Sequence, residues 1–174
     1  MERIGEILND DEANIILKSM NEAPKVDFKK QDQDRVDAES KMKDKERLVG
    51  RFISAQIKDT VKGKQVIVKI SIITDEYKDI VVTLFFQIEN ESIKYLQSFL
   101  KKLGKLEAEN TLETLTRTLD SLVGNFCELE VRKTQKGYTN YYARRFVDSE
   151  EEALALSKYI KADQDAVNNA VSPF

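Results

Sequence analysis

A chain of 174 residues holds one domain with appendages or at most two small domains, and its 41% hydrophobic content is enough for one core with no apolar surface to spare. It has no histidine and a single cysteine, Cys127, so the usual general base, an internal disulfide and the common zinc sites are all excluded. Charge is uneven: residues 48–147 carry sixteen Lys/Arg against twelve Asp/Glu, while both flanks are acidic, leaving a net −3 for the whole. A basic middle between acidic ends suits a domain that meets a polyanion, although an imbalance of this size is also ordinary.

No GxxxxGK[ST] or GxGxxG loop occurs, and the carboxylates are scattered as on a solvated surface. The expectation is therefore a protein that binds rather than an enzyme, with no cofactor and no metal. No apolar run is long enough to cross a bilayer, and the first residues show no apolar leader. A cytoplasmic setting without membrane contact is the default.

Residues 1–47 read as a helical and charged segment. Ile4, Ile7, Leu8, Ile15 and Ile16 fall partly on one helical face over residues 2–20, and Pro24 ends that pattern. The stretch from Pro24 to Arg47 is almost wholly polar. It reads as a flexible linker or a solvated helix, with marginal structure favoured.

After Arg47 the period changes to two. The first expected strand, RLVGRFISAQIKD, puts Ile53, Ala55 and Ile57 on one face and Phe52, Ser54, Gln56 and Lys58 on the other. A turn at Gly63 leads to QVIVKISIIT, with Val66, Val68, Ile70 and Ile72 inward. Residues 75–79 make a tight connection. DIVVTLFFQI follows, with Ile80, Val82, Leu84, Phe86 and Ile88 inward and Val81, Thr83, Phe85 and Gln87 outward.

Two helices come next. Asn90 can cap one in which Ile93, Leu96, Phe99, Leu100 and Leu103 recur, stopped by Gly104. Asn110 and Glu113 have capping-box spacing ahead of Leu112, Leu115 and Leu119. A fourth strand alternates Cys127, Leu129 and Val131 with Phe126, Glu128, Glu130 and Arg132. KTQKG makes a hairpin into YTNYYARRFVD, whose register the pattern leaves open between Tyr142, Arg144 and Phe146 on one face and Tyr141, Ala143, Arg145 and Val147 on the other. Ser149 with Glu152 caps a short helix over residues 149–162, and residues 163–174 read as a flexible tail.

Three strands, a helical insert and two strands make a mainly β domain over residues 48–148, in the order of a five-stranded oligonucleotide-binding (OB) Greek-key barrel. In such barrels the face of strands two and three, with the loops after strands one and four, meets nucleic acid. Both loops here set a glycine among basic residues, Lys62-Gly63-Lys64 and Lys133 to Lys136-Gly137-Tyr138. Glycine lets a tip bend and lysine offers a charge to phosphate, although Lys-Gly is equally a stock hairpin turn. Bases stack on aromatic faces, and the candidates are Phe52, Phe85, Phe126, Tyr138, Tyr141 and Tyr142. Phe85 beside Lys69 and Thr83 is preferred, then Tyr138 beside Lys136, while Phe126 is expected to pack on the insert. Arg132, Arg144 and Arg145 can line the groove.

LVGRFISAQIKDTVKGKQVIVKISII, the helix end SFLKKLG and SLVGNFCELEVRKTQKGYTNYYARRF, with Asn140 after the KxGY hairpin, resemble phage-type single-stranded DNA-binding proteins across residues 48–148. The resemblance implies an OB barrel that coats single-stranded DNA without sequence preference during phage or mobile-element replication or recombination, and it implies a homo-oligomer. The end, Ser172-Pro173-Phe174, is similar to the tip of bacterial single-stranded DNA-binding proteins, which implies replication or recombination proteins as partners of Pro173 and Phe174; the nearest acids, Asp163 and Asp165, lie well upstream. The alternative reading is a protein-interaction or inhibitory module that uses an OB scaffold with acidic tails. DNA and RNA are not separated by the sequence.

Overall fold

The computed structural model describes the backbone of residues 28–170 and the side chains of residues 33–165. The chain divides into two compact units, residues 1–34 and 35–174, and nearly all described elements belong to the second. The helix expected over residues 2–20 and the terminal Pro173 and Phe174 lie outside the described residues.

Helix α1 (Phe28–Lys41) takes the solvated alternative for the polar stretch. Its sequence offers Val36 and Ala38 as the apolar residues past its first turns, and Ala38 packs against the core. Five strands follow: β1 (Arg47–Thr60), β2 (Gly63–Ile72), β3 (Val81–Gln87), β4 (Phe126–Lys133) and β5 (Thr139–Val147). They form one antiparallel sheet in the order β3-β2-β1-β4-β5. Helices α2 (Ile93–Lys102) and α3 (Leu112–Leu122) lie between β3 and β4 in sequence, and α4 (Glu150–Ala170) follows β5. The protein is thus mainly β with helical additions. None of the helices among the described residues is long and apolar enough to cross a membrane.

The regular strands match their sequence pattern. Val66, Val68, Ile70 and Ile72 of β2 and Val82 and Leu84 of β3 enter the main core, and Phe86 packs on it. The turn glycine Gly63 has φ +102° and Gly137 has φ +85°, conformations that glycine reaches without the steric penalty of a side chain.

The other strands are interrupted. A bulge in β1 between Phe52 and Ser54 leaves Ile53 as the extra residue. Phe52 is therefore fully buried, edge-on to Phe99 of α2 with ring centroids 6.4 Å apart, and Ile53 is turned outward. Both correct the alternation expected for this strand. A second irregularity lies opposite Arg144, between Glu128 and Leu129. It lets Tyr141, Ala143 and Phe146 all face the main core, so neither register expected for β5 holds along its whole length.

Helix α2 buries Leu96, Phe99 and Leu100 as its spacing predicts, although Ser92, not Asn90, stands at its N-cap. Helix α3 starts one residue later than expected, capped by Thr111, whose side chain accepts from the Thr114 amide while Thr114 Oγ1 accepts from the Thr111 amide. That moves the capping box off Asn110 and Glu113, and Leu112 is exposed rather than buried. Leu115, Leu119 and Leu122 close the core from this side.

A smaller apolar cluster sits on the other face of the sheet. Val49, Phe126 and Val147 are covered there by Ala153 and Ile160 of α4. Phe126 thus packs under the last helix, not on the insert. Ser149 Oγ accepts from the Glu152 amide at 3.1 Å, as its sequence predicts, but the helix continues to Ala170, past the end expected at residue 162 and into the stretch read as a flexible tail.

Candidate nucleic-acid interface

Strands β3 and β5 are the two edges of the sheet. A cleft of about 810 Å³ is lined by Thr83–Gln87 of β3, by Thr139–Arg144 of β5, and by side chains of α2 and α1. Exposed aromatic rings stand along it: Phe85 (63% exposed) on β3, Tyr95 (59%) on α2 and Tyr142 (44%) on β5. Arg35, Lys102, Arg132 and Arg144 supply positive charge, and Glu39 and Glu130 are the acids of the lining.

Each ring is where it is for a local reason. Phe85 lies on the outward phase of a regular strand, across from Ile67 and one step from the Lys69–Thr83 pair. Tyr95 lies at the edge of the buried face of α2, one turn before Phe99, in line with Ser92, Ser98 and Lys102. Lys94 Nζ lies 5.3 Å from the centre of its ring. Tyr142 pairs with Glu130 in the sheet, and the Arg132 guanidinium stands 4.4 Å from its ring centre.

The arginines are held by carboxylates. Arg132 Nε donates to Glu130 Oε2 at 2.8 Å, and Arg144 Nη1 donates to Glu130 Oε1 at 2.8 Å. The Arg132 hydrogen bond, more than the nearby Arg144 charge, holds the Glu130 carboxyl below the usual carboxylate range, against the opposing effect of burial. Arg132 in turn keeps its proton more tightly than a free guanidinium. Behind this pair lies Glu128, which has no exposed surface. Arg144 Nε and Arg145 Nε approach its two oxygens to 3.0 and 2.9 Å, and Arg47 Nη1 stands at 3.9 Å. These are close ion pairs whose N–H directions fall outside hydrogen-bond geometry. Arg47 also pairs with Asp163 of α4 at 2.7 Å.

Tyr141 faces the other way. Its hydroxyl donates to Glu39 Oε1 at 2.9 Å, and burial, with the Glu39 charge second, pushes its pKa up. Cys127 is buried in the core, where loss of solvation raises its thiol pKa and makes it unreactive.

Of the residues singled out by sequence, Phe85, Arg132, Tyr141, Tyr142 and Arg144 line the cleft together, Tyr141 from its core side. Phe52 does not, because it is core. Lys69 is exposed on the outer face beside Thr83. Lys133 Nζ is taken up by the Glu39 carbonyl and Thr139 Oγ1. Lys62 and Lys64 sit at the turn closing the C-terminal end of β1, where Lys64 pairs with Asp59 at 2.7 Å. Lys136 and Tyr138 (67% exposed) sit on the β4–β5 hairpin, beyond the strand that pairs with the N-terminal end of β1. The two loops therefore extend from opposite ends of β1. Arg35, Tyr95 and Lys102 were not singled out from sequence, although the positions flanking the buried stripe of α2 carry the signal for Tyr95 and Lys102.

Among the described residues no cluster of three or more Cys, Asp or Glu side chains is arranged to hold a metal ion. Comparison with known protein families finds none that matches this chain, and comparison with curated proteins finds no similar one.

Proposed function

We propose that the protein binds single-stranded DNA without sequence preference, through the cleft between β3 and β5 and the adjoining outer face of β2 and β3. The observation that carries this reading is the set of exposed rings along one open cleft, Phe85, Tyr95 and Tyr142, interleaved with Arg35, Lys102, Arg132 and Arg144. Every base has a face to stack on such rings, at about 1–3 kcal/mol each, so the arrangement suits a strand of any sequence. A duplex hides those faces. Strand order supports the same reading: β3-β2-β1-β4-β5 is the order of an OB barrel opened at the β3–β5 seam. On this reading the protein coats single strands in phage or mobile-element replication or recombination, and acts as a binding protein without a catalytic step.

The expected result of a mobility-shift titration is retention of a dT oligonucleotide at concentrations that leave duplex DNA of the same length free. Equal binding of both, or of neither at low salt, refutes the proposal. Phe85→Ala or Tyr142→Ala should weaken binding more than Lys94→Ala. The carboxylates already seated on Arg132 and Arg144 favour one other reading, a protein-binding scaffold, which predicts a stable protein complex and no affinity for either DNA.

A further inference from the structure

We propose that Glu130 is the positioning residue of a preformed stacking platform, in which it holds the Arg132 guanidinium over the Tyr142 ring so that the pair receives an unpaired base as one surface. The inference rests on the single-strand reading and names what the β5 side of the cleft recognises: the base rather than the phosphate.

The register makes the arrangement. Glu130 pairs with Tyr142 and Arg132 with Asn140 across β4 and β5, so Arg132 and Tyr142 are diagonal neighbours on the same face. A long arginine on a sheet surface samples many rotamers unless something fixes its head. Here Glu130 Oε2 accepts from Arg132 Nε at 2.8 Å, and the guanidinium carbon lies 4.4 Å from the Tyr142 ring centre. Glu130 is itself fixed from the other side. Its Oε1 accepts from Arg144 Nη1 at 2.8 Å, and Arg144 Nε is seated on the buried Glu128 at 3.0 Å. The burial gradient runs the same way: the Glu130 side chain is 15% exposed and that of Arg132 57%. The carboxylate that anchors is mostly covered, and the arginine that it holds is open to solvent.

This is a poor arrangement for a phosphate contact. The charge of Arg132 is already met by a carboxylate, and a phosphate would have to displace Glu130 to reach Nε. A base stacking on the outer plane of the guanidinium displaces nothing. Lysine cannot replace arginine here, because its ammonium has no plane to stack.

The test uses the full chain and a labelled dT oligonucleotide titrated over a range of salt. Glu130→Gln and Arg132→Lys should each weaken binding by on the order of 3- to 10-fold, with the slope of log K against log salt unchanged, because no phosphate contact is lost. Tighter binding and a steeper slope in Glu130→Gln would overturn the proposal, since Glu130 would then be a competitor of phosphate. Wild-type affinity in Arg132→Lys, an exposed and fold-neutral change, would overturn it too. If the wild-type chain binds no oligonucleotide, the functional reading fails separately, and the platform is decided without ligand. In that case the Arg132 Nε–H and Tyr142 ring resonances should both shift in Glu130→Gln, and unmoved resonances would overturn it.

Discussion

The outer face of β4 and β5 has two unlike ends. At one, Phe126 and Val147 face each other across the strands, join Val49, and are sealed by Ala153 and Ile160 of α4. At the other, Glu130 faces Tyr142 and Arg132 faces Asn140, and the cleft opens onto them. Between the two lies Glu128, fully buried yet ringed by Arg47, Arg144 and Arg145. One face of one pair of strands thus passes from a covered apolar patch, through a buried charge, to an open aromatic rim. Covering a ring removes it from water and stabilises the fold; leaving it open with a guanidinium beside it keeps its plane available. The two ends should therefore respond to mutation in opposite ways, one in stability and the other in binding.

The largest effect is expected at the covered end. Phe126→Ala should lower unfolding free energy by about 3–5 kcal/mol in urea titration, because the smaller side chain leaves a cavity under α4. Oligonucleotide affinity of the folded fraction should not change. Glu128→Ala should cost about 3 kcal/mol by the same measurement, since it leaves Arg144 and Arg145 facing an empty buried position. The half-exposed arginines can turn to solvent, which limits the loss. Glu128→Leu should cost less than Glu128→Ala, and a larger loss would mean that the carboxylate is needed for its charge.

At the open end, Tyr142→Ala should change stability by no more than about 0.5 kcal/mol while weakening dT binding by about 1–3 kcal/mol. The smallest effect is in pH. Glu130 is held below the ordinary carboxylate range by its Arg132 hydrogen bond. A lowered folded pKa gives stability that is present above the unfolded value, about 4.3, and lost as pH falls through the folded one. The Arg132–Glu130 pair should therefore be unaffected between about pH 5 and 8, and a carbon-detected titration of Glu130 should have its midpoint below the unfolded value.

The same contrast explains what could be read in the sequence. β2 and β3 keep strict alternation, so their inward residues and the outward Phe85 were legible. β1 and β5 are each interrupted by a register shift. A single insertion reverses which side chains face in, which is why Phe52 read as outward and why Tyr141 and Phe146 could not be assigned to one face. The covered end was half legible. Phe126 carried the mark of a buried ring, but only the fold shows that α4, not the insert, covers it. The cleft residues contributed by helices, Arg35, Tyr95 and Lys102, were the least legible, because their grouping with β3 and β5 depends on tertiary packing. The paired state of Arg132 and Arg144 was hidden for the same reason: Glu130 and Glu128 read simply as solvated positions of an alternating strand.

The most direct test is a chain carrying Phe85→Ala, Tyr95→Ala and Tyr142→Ala together, titrated with a dT oligonucleotide at low salt. These rings are exposed, so the unfolding midpoint should stay close to that of the wild type. Affinity should fall by on the order of 100-fold or more, the combined loss of several stacking contacts. A triple variant that folds normally and binds the oligonucleotide as tightly as the wild type would contradict the account.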